Sequence, residues 1–84
     1  MALSEPEAKV LGALFYSNGM QVLTVQRIRL TTRLSEGSVR RALLRLARTG
    51  LALSTQQRPA NWRPTERGRW VINKPPYIEY VRMP

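Results

Sequence analysis

Residues 34–51, LSEGSVRRALLRLARTGL, decide how the rest of the chain is read. Ser35 is a good helix N-cap, and Glu36 places a negative charge in the first turn, where the helix dipole favours one. Gly50 is best able to take the left-handed conformation that follows a last turn. Between them Val39, Ala42, Leu43 and Leu46 recur at spacings of three and four, which predicts a helix over 35–49 with one apolar face. At about 100° per residue, Gly37, Ser38, Arg41, Arg45 and Arg48 fall opposite, with Arg40 at the flank. A short helix with small residues at its start and arginines along its back suits a DNA major groove. It reads bases near its N-terminus and grips phosphates along its length. An arginine face kept for solubility explains the same pattern, so the helix alone leaves both readings open.

The charge distribution bears on that choice. The chain has 84 residues and a formal net charge of +9. Residues 1–26 carry Glu5, Glu7 and Lys9, net −1, and residues 70–84 carry Lys74, Glu79 and Arg82, net +1. Residues 27–69 hold eleven arginines against Glu36 and Glu66, net +9. Basicity gathered in one segment is the footprint of a polyanion-binding surface. Arginine suits bidentate contacts to phosphate and guanine, though a GC-rich genome gives the same bias.

Upstream, Ser4-Glu5-Pro6-Glu7 is a capping box that Leu3 can staple to Ala8. Val10, Leu11, Leu14 and Phe15 predict a first helix, ended by Asn18-Gly19. Met20–Leu23 is extended and allows only a minor strand. Thr24 caps a second helix from Val25 to about Thr32, with Val25 and Ile28 inward. Leu34 closes the turn before Ser35. Downstream, Leu51-Ala52-Leu53-Ser54-Thr55-Gln56 alternates with period two, a strand signature. Arg58-Pro59-Ala60-Asn61 reads as a turn, and Trp62-Arg63 as a return strand before Pro64. The result is a hairpin with a basic tip. Thr65 caps a short last helix over 66–72, in which Gly68 costs about 1 kcal/mol against Ala. Asn73-Lys74-Pro75-Pro76 breaks it. Trp62 and Trp70 read as core or wing-root residues, and Leu44, on the shoulder of the third helix, as packing under the hairpin.

The chain holds no cysteine and no histidine. Disulfides, thiolate chemistry and the usual zinc sites are therefore not expected. Five carboxylates without histidine, and no phosphate-binding loop, leave little for acid–base, metal or nucleotide chemistry. Neither an enzyme nor a cofactor is expected. No apolar run approaches 18 residues and no signal peptide stands at the start. The expectation is a cytoplasmic, nucleoid-associated protein away from membranes.

The order helix, strand, helix, turn, helix, hairpin resembles a winged helix-turn-helix, mainly α with a small β-hairpin. The local match is to transcription regulators of the MarR, ArsR and GntR kind. It runs from Leu34-Ser35 through Val39, Leu43, Leu46 and Gly50-Leu51. In those families such residues open the recognition helix, face the core and step into the wing. Thr65-Glu66-Arg67-Gly68-Arg69 is similar to the Leu-Thr-Glu-x-Gly segment after the wing in MarR-like and PadR-like proteins, with Pro64 in place of leucine. Two residues depart from the pattern. Arg29 stands where a small residue is preferred, and Arg33 where the turn prefers glycine. Either the second helix is shifted by a residue or its geometry is unusual.

The resemblance implies a winged helix over 1–74, with 75–84 as a tail. It implies a sequence-specific binder of double-stranded DNA, a small transcription regulator acting as a repressor. The helix over 35–49 would enter the major groove, with a basic wing at 57–63. Gly37 and Ser38 would allow close approach, Ser35 is a further DNA-binding candidate, and Arg41 is the candidate for a base contact. Arg40, Arg45 and Arg48 would touch phosphate, although Arg40 can instead pair with Glu36 at i, i+4. Arg58 would reach the minor groove and Arg63 the backbone, while Arg27, Arg29 and Arg33 are candidates for further phosphate contacts. A homodimer on DNA is expected, its arm being Tyr77, Ile78, Tyr80 and Val81, unless these fold onto their own core. The length leaves no room for an effector region, so no small-molecule effector is expected. An accessory role in replication, partition or recombination stays open, as does a winged-helix module for protein or RNA.

Overall fold

The computed structural model describes residues 3–16, 23–55 and 60–79. These form α1 (Glu5–Tyr16), β1 (Leu23–Thr24), α2 (Val25–Thr32), α3 (Glu36–Arg48), β2 (Ala52–Ser54), β3 (Asn61–Pro64) and α4 (Glu66–Ile72). Helix starts follow the cap residues. The Ser4 Oγ accepts from the Glu7 N–H at 3.3 Å, and the Ser4 N–H donates to the Glu7 carboxylate at 3.2 Å, the reciprocal capping box. Thr24 Oγ1 accepts from the Arg27 N–H at 3.3 Å, and Thr65 Oγ1 from the Gly68 N–H at 3.0 Å. The Asn18-Gly19 stop, Met20–Val22 and the Arg58-Pro59 turn lie outside the described residues.

The core forms where the helical stripes meet. Val10, Leu11 and Leu14 of α1, Ile28 of α2 and Val39, Leu43 and Leu46 of α3 are buried together with Leu51, Trp62 and Ile72. Each such side chain stabilises the fold by about 1.5–3 kcal/mol relative to exposure. Phe15 and Val25 pack at the edge of this cluster.

The second helix is not shifted. It ends at Thr32, and Arg33 itself takes the left-handed conformation, φ 62° and ψ 20°. Its N–H closes onto the Arg29 carbonyl at 2.8 Å. An arginine therefore adopts the backbone that favours glycine, which costs a side-chain-bearing residue about 1–2 kcal/mol.

The strands form one antiparallel sheet in the order β1-β3-β2. Leu23 pairs with Trp62, Ala52 with Pro64 and Leu53 with Arg63. The alternation over 51–56 put Leu51 and Leu53 on one side, but the strand turns Ala52 inward and leaves Leu53 49% exposed. The reason lies just upstream. Gly50 is left-handed, φ 77°, and the Leu51 N–H closes onto the Leu46 carbonyl at 2.8 Å. Leu51 thus buries its side chain as part of the helix end, before the strand begins.

Gly68 has a positive reason to be glycine. It is buried where α4 crosses the start of the wing, and a Cβ there would collide with the Leu51 carbonyl oxygen. Trp62 is a wing-root core residue as expected, but Trp70 is 68% exposed. It lies on the outer face of α4, with the Lys74 ammonium 5.3 Å from its ring centre. Beyond α4, Tyr77 packs on the core, and its hydroxyl accepts from the Leu3 N–H at 2.8 Å. Tyr80 and Val81 lie outside the described residues.

Candidate nucleic-acid interface

Ser35 sets where α3 begins. Its backbone is extended, φ −69° and ψ 158°, and its Oγ accepts from the Ser38 N–H at 3.2 Å. The same hydroxyl donates to the Ser38 Oγ at 3.1 Å, so both serines are engaged in the cap. Val39, Ala42, Leu43 and Leu46 are buried, as their spacing predicts. The centre of the opposite face is formed by Gly37, Arg41, Leu44 and Arg48, all exposed. Side chains on a helix lean towards its N-terminus. Arg41 does so: its guanidinium reaches back over Gly37, with one Nη 3.8 Å from where a Cβ on that residue would stand. This brings the guanidinium to the N-terminal end of α3.

Leu44 does not pack under the hairpin. It is 60% exposed and borders the groove that α3 shares with Val25, Ala60 and Trp62. The angular position of residue 44, midway between the arginines of the exposed face, carried this signal in the sequence. An apolar side chain there is suited to a thymine methyl group.

The flanking arginines are paired. Arg40 Nε lies 3.2 Å from a Glu36 carboxylate oxygen, the i, i+4 pair expected as its alternative role. The other Glu36 oxygen accepts from Gln26 Nε2 at 2.9 Å, a link between α2 and α3 that sequence reasoning missed. The Arg40 hydrogen bond, then that of Gln26, then the nearby positive charges hold the Glu36 carboxyl below its ordinary range. On the far flank Arg45 Nε lies 3.5 Å from Glu7 of α1. Nothing in the local sequence links these two, because only the packing of α1 on α3 brings them together.

Arg63 stands on the outer face of the sheet beside Leu53, and both are exposed. Arg58 lies outside the described residues. Arg27, Arg29 and Arg33 are exposed on α2 and the turn after it. Among the described residues no group of three or more carboxylate, histidine or cysteine side chains is placed to hold a metal. No described helix is long and apolar enough to cross a membrane.

No family model and no curated protein matches the sequence. Solved structures do match. A MarR family transcriptional regulator from Silicibacter pomeroyi superposes with a TM-score of 0.72 at 20% identity, covering 95% of this chain and 53% of its own. A mutant of ZitR from Lactococcus lactis superposes with a TM-score of 0.73 at 22% identity, covering 98% and 53% respectively. The fold is a winged helix-turn-helix. In its terms α2 and α3 are the helix pair, α3 occupies the recognition position and the β2–β3 hairpin is the wing. The winged helix spans about half the length of the structures it matches.

Proposed function

We propose that this winged helix binds double-stranded DNA with sequence preference and serves a transcription regulator. The observation that carries the reading is the exposed stripe of α3, where Arg41 and Arg48 flank Leu44 in the recognition position. The structural neighbour from Silicibacter pomeroyi is named as a MarR family transcriptional regulator, which supports this reading.

In this reading α3 enters the major groove. Arg41 is the base reader, its fork matched to guanine O6 and N7. Ser35, Gly37 and Ser38 keep the approaching end of the helix slim. Arg48 grips phosphate, as do Arg63 and, at the wing tip, Arg58. Arg40 and Arg45 carry carboxylate partners and contact DNA only by exchanging them. One winged helix covers few base pairs, so two copies on a two-fold site give the needed selectivity. Occupying an operator is then enough to repress.

Selection of bound fragments from the native genome, followed by footprinting, tests this. A protected, roughly palindromic site is expected. Affinity for it should fall with salt at a log–log slope of about −0.9 per phosphate neutralised. A slope near zero removes the DNA reading. Equal affinity for scrambled duplex removes the sequence preference, and tighter binding to single-stranded RNA or an acidic protein favours the interaction-module alternative.

A further inference from the structure

The helix pair and its turn carry seven arginines, at positions 27, 29, 33, 40, 41, 45 and 48, and a single carboxylate, Glu36. A negative charge at the approaching end of a DNA-binding helix works against the phosphates. The dipole of α3 accounts for some carboxylate in its first turn. It does not account for how both oxygens of this one are used. One takes the Arg40 Nε at 3.2 Å, the other the Gln26 amide at 2.9 Å from across the turn. Arg40 and Glu36 keep 60% and 47% of their side-chain surface in water, respectively. A pair this exposed adds little to stability. Its effect falls instead on what Arg40 can do for a ligand.

We propose that Glu36 withholds Arg40 from the DNA backbone and so limits the sequence-independent part of binding. This rests on the DNA-binding reading given above. The Glu36 carboxylate neutralises the Arg40 guanidinium, and Gln26 fixes the carboxylate so that it does not swing away with its partner. A phosphate must displace Glu36 to reach Arg40, and then meets a second anion beside it. Counterion release at this place is therefore lost. A phosphate contact carries no sequence information, so preferred and scrambled duplexes are weakened alike. The gain is shorter residence at wrong sites, whose binding comes almost entirely from phosphate contacts.

The test is a set of salt titrations on the full chain with a preferred and a scrambled duplex. The variants are Glu36→Gln, Arg40→Gln and the two combined. Circular dichroism checks that each is folded, since all lie at exposed positions. Glu36→Gln is expected to tighten both duplexes at low salt and to steepen the slope by about 0.9. Raising salt fourfold should then cost it about 3.5-fold more affinity than it costs the wild type. Arg40→Gln alone should leave the slope unchanged, whereas in the Glu36→Gln background it should remove the added 0.9. A steep wild-type slope that Glu36→Gln does not alter overturns the inference and leaves the DNA reading standing. So does a slope that Arg40→Gln alone flattens by one contact. A changed preference at a single base pair, with the slope unmoved, overturns it in favour of Glu36 reading a cytosine amine. A flat wild-type slope overturns the DNA reading itself and this inference with it.

Discussion

Replacing Gly68 with alanine sets two effects of opposite sign against each other. In an exposed helix interior the change is favourable by about 1 kcal/mol, because glycine loses more backbone freedom on folding. Here the added carbon would meet the Leu51 carbonyl oxygen and press on the Leu11 side chain. Leu11 can shift, but the carbonyl is backbone. It is held between the helix end and the Thr65 N–H, which donates to it at 3.0 Å. Overpacking of a filled interior costs about 1–3 kcal/mol, and loosening the Thr65–Leu51 hydrogen bond costs about 0.5–1.5 kcal/mol more. The net expectation for Gly68→Ala is destabilisation by about 2 kcal/mol, within about 0.5–3.5 kcal/mol. At about 4–8 °C per kcal/mol for a domain of this size, Tm should fall by roughly 10 °C. Thermal unfolding followed by circular dichroism, with urea titration as a second measure, reads this directly. A variant as stable as the wild type, or more stable, would refute the argument, because helix propensity would then outweigh the contact.

Arg33→Gly should raise stability by about 0.5–1 kcal/mol in urea titration, since relief of the left-handed penalty exceeds the entropy that glycine adds to the unfolded chain. Arg41→Ala should cost about 1–3 kcal/mol on the preferred duplex and relax one base position, whereas Arg48→Ala should weaken all duplexes alike and flatten the salt slope by about one unit. Competition binding against a library of single-base variants separates the two, and an unchanged preference after Arg41→Ala would show that another residue reads the base. Tyr77→Phe should cost about 0.5–1.5 kcal/mol by stranding the Leu3 N–H. Deleting residues 75–84 should cost more, and sedimentation of the truncated chain with duplex tests whether the tail also joins two copies.

Features that act within a turn of the chain were legible in the sequence. Ser4, Thr24, Ser35 and Thr65 cap the helices they were expected to cap, because a side-chain oxygen bonds an N–H two or three residues on. The keel of α3 was equally plain, since a period of three and four admits one buried face. What escaped was set by contacts between distant segments. The glycine at 68 looked like a weakness until Leu51 was placed against it. The parity of β2 depended on Leu51 finishing α3 rather than starting the strand. Trp70 reads from the sequence as a core or wing-root residue, but only one side of a helix this short meets α1. At the candidate interface, the stripe of Arg41 and Arg48 follows from helical spacing. The ties of Arg45 to Glu7 and of Gln26 to Glu36 need the packing angles of three helices.

Thr24 belongs to two structures at once. Its backbone pairs with Asn61 of the wing strand, and its side chain caps α2. The sheet and the helix pair therefore share a residue, and β3, the wing strand paired with it, is tied to the first turn of α2. On a duplex this makes the domain a ruler. In the proposed mode of binding, the distance between a groove entered by α3 and a contact made by the wing would be set by the fold. One base pair inserted between those two places turns one contact about the DNA axis by roughly 34° relative to the other, given 10–10.5 base pairs per turn. A rigid reader would then have to give up one of its two holds, so the proposed DNA reading expects the length of a half-site to matter as well as its letters.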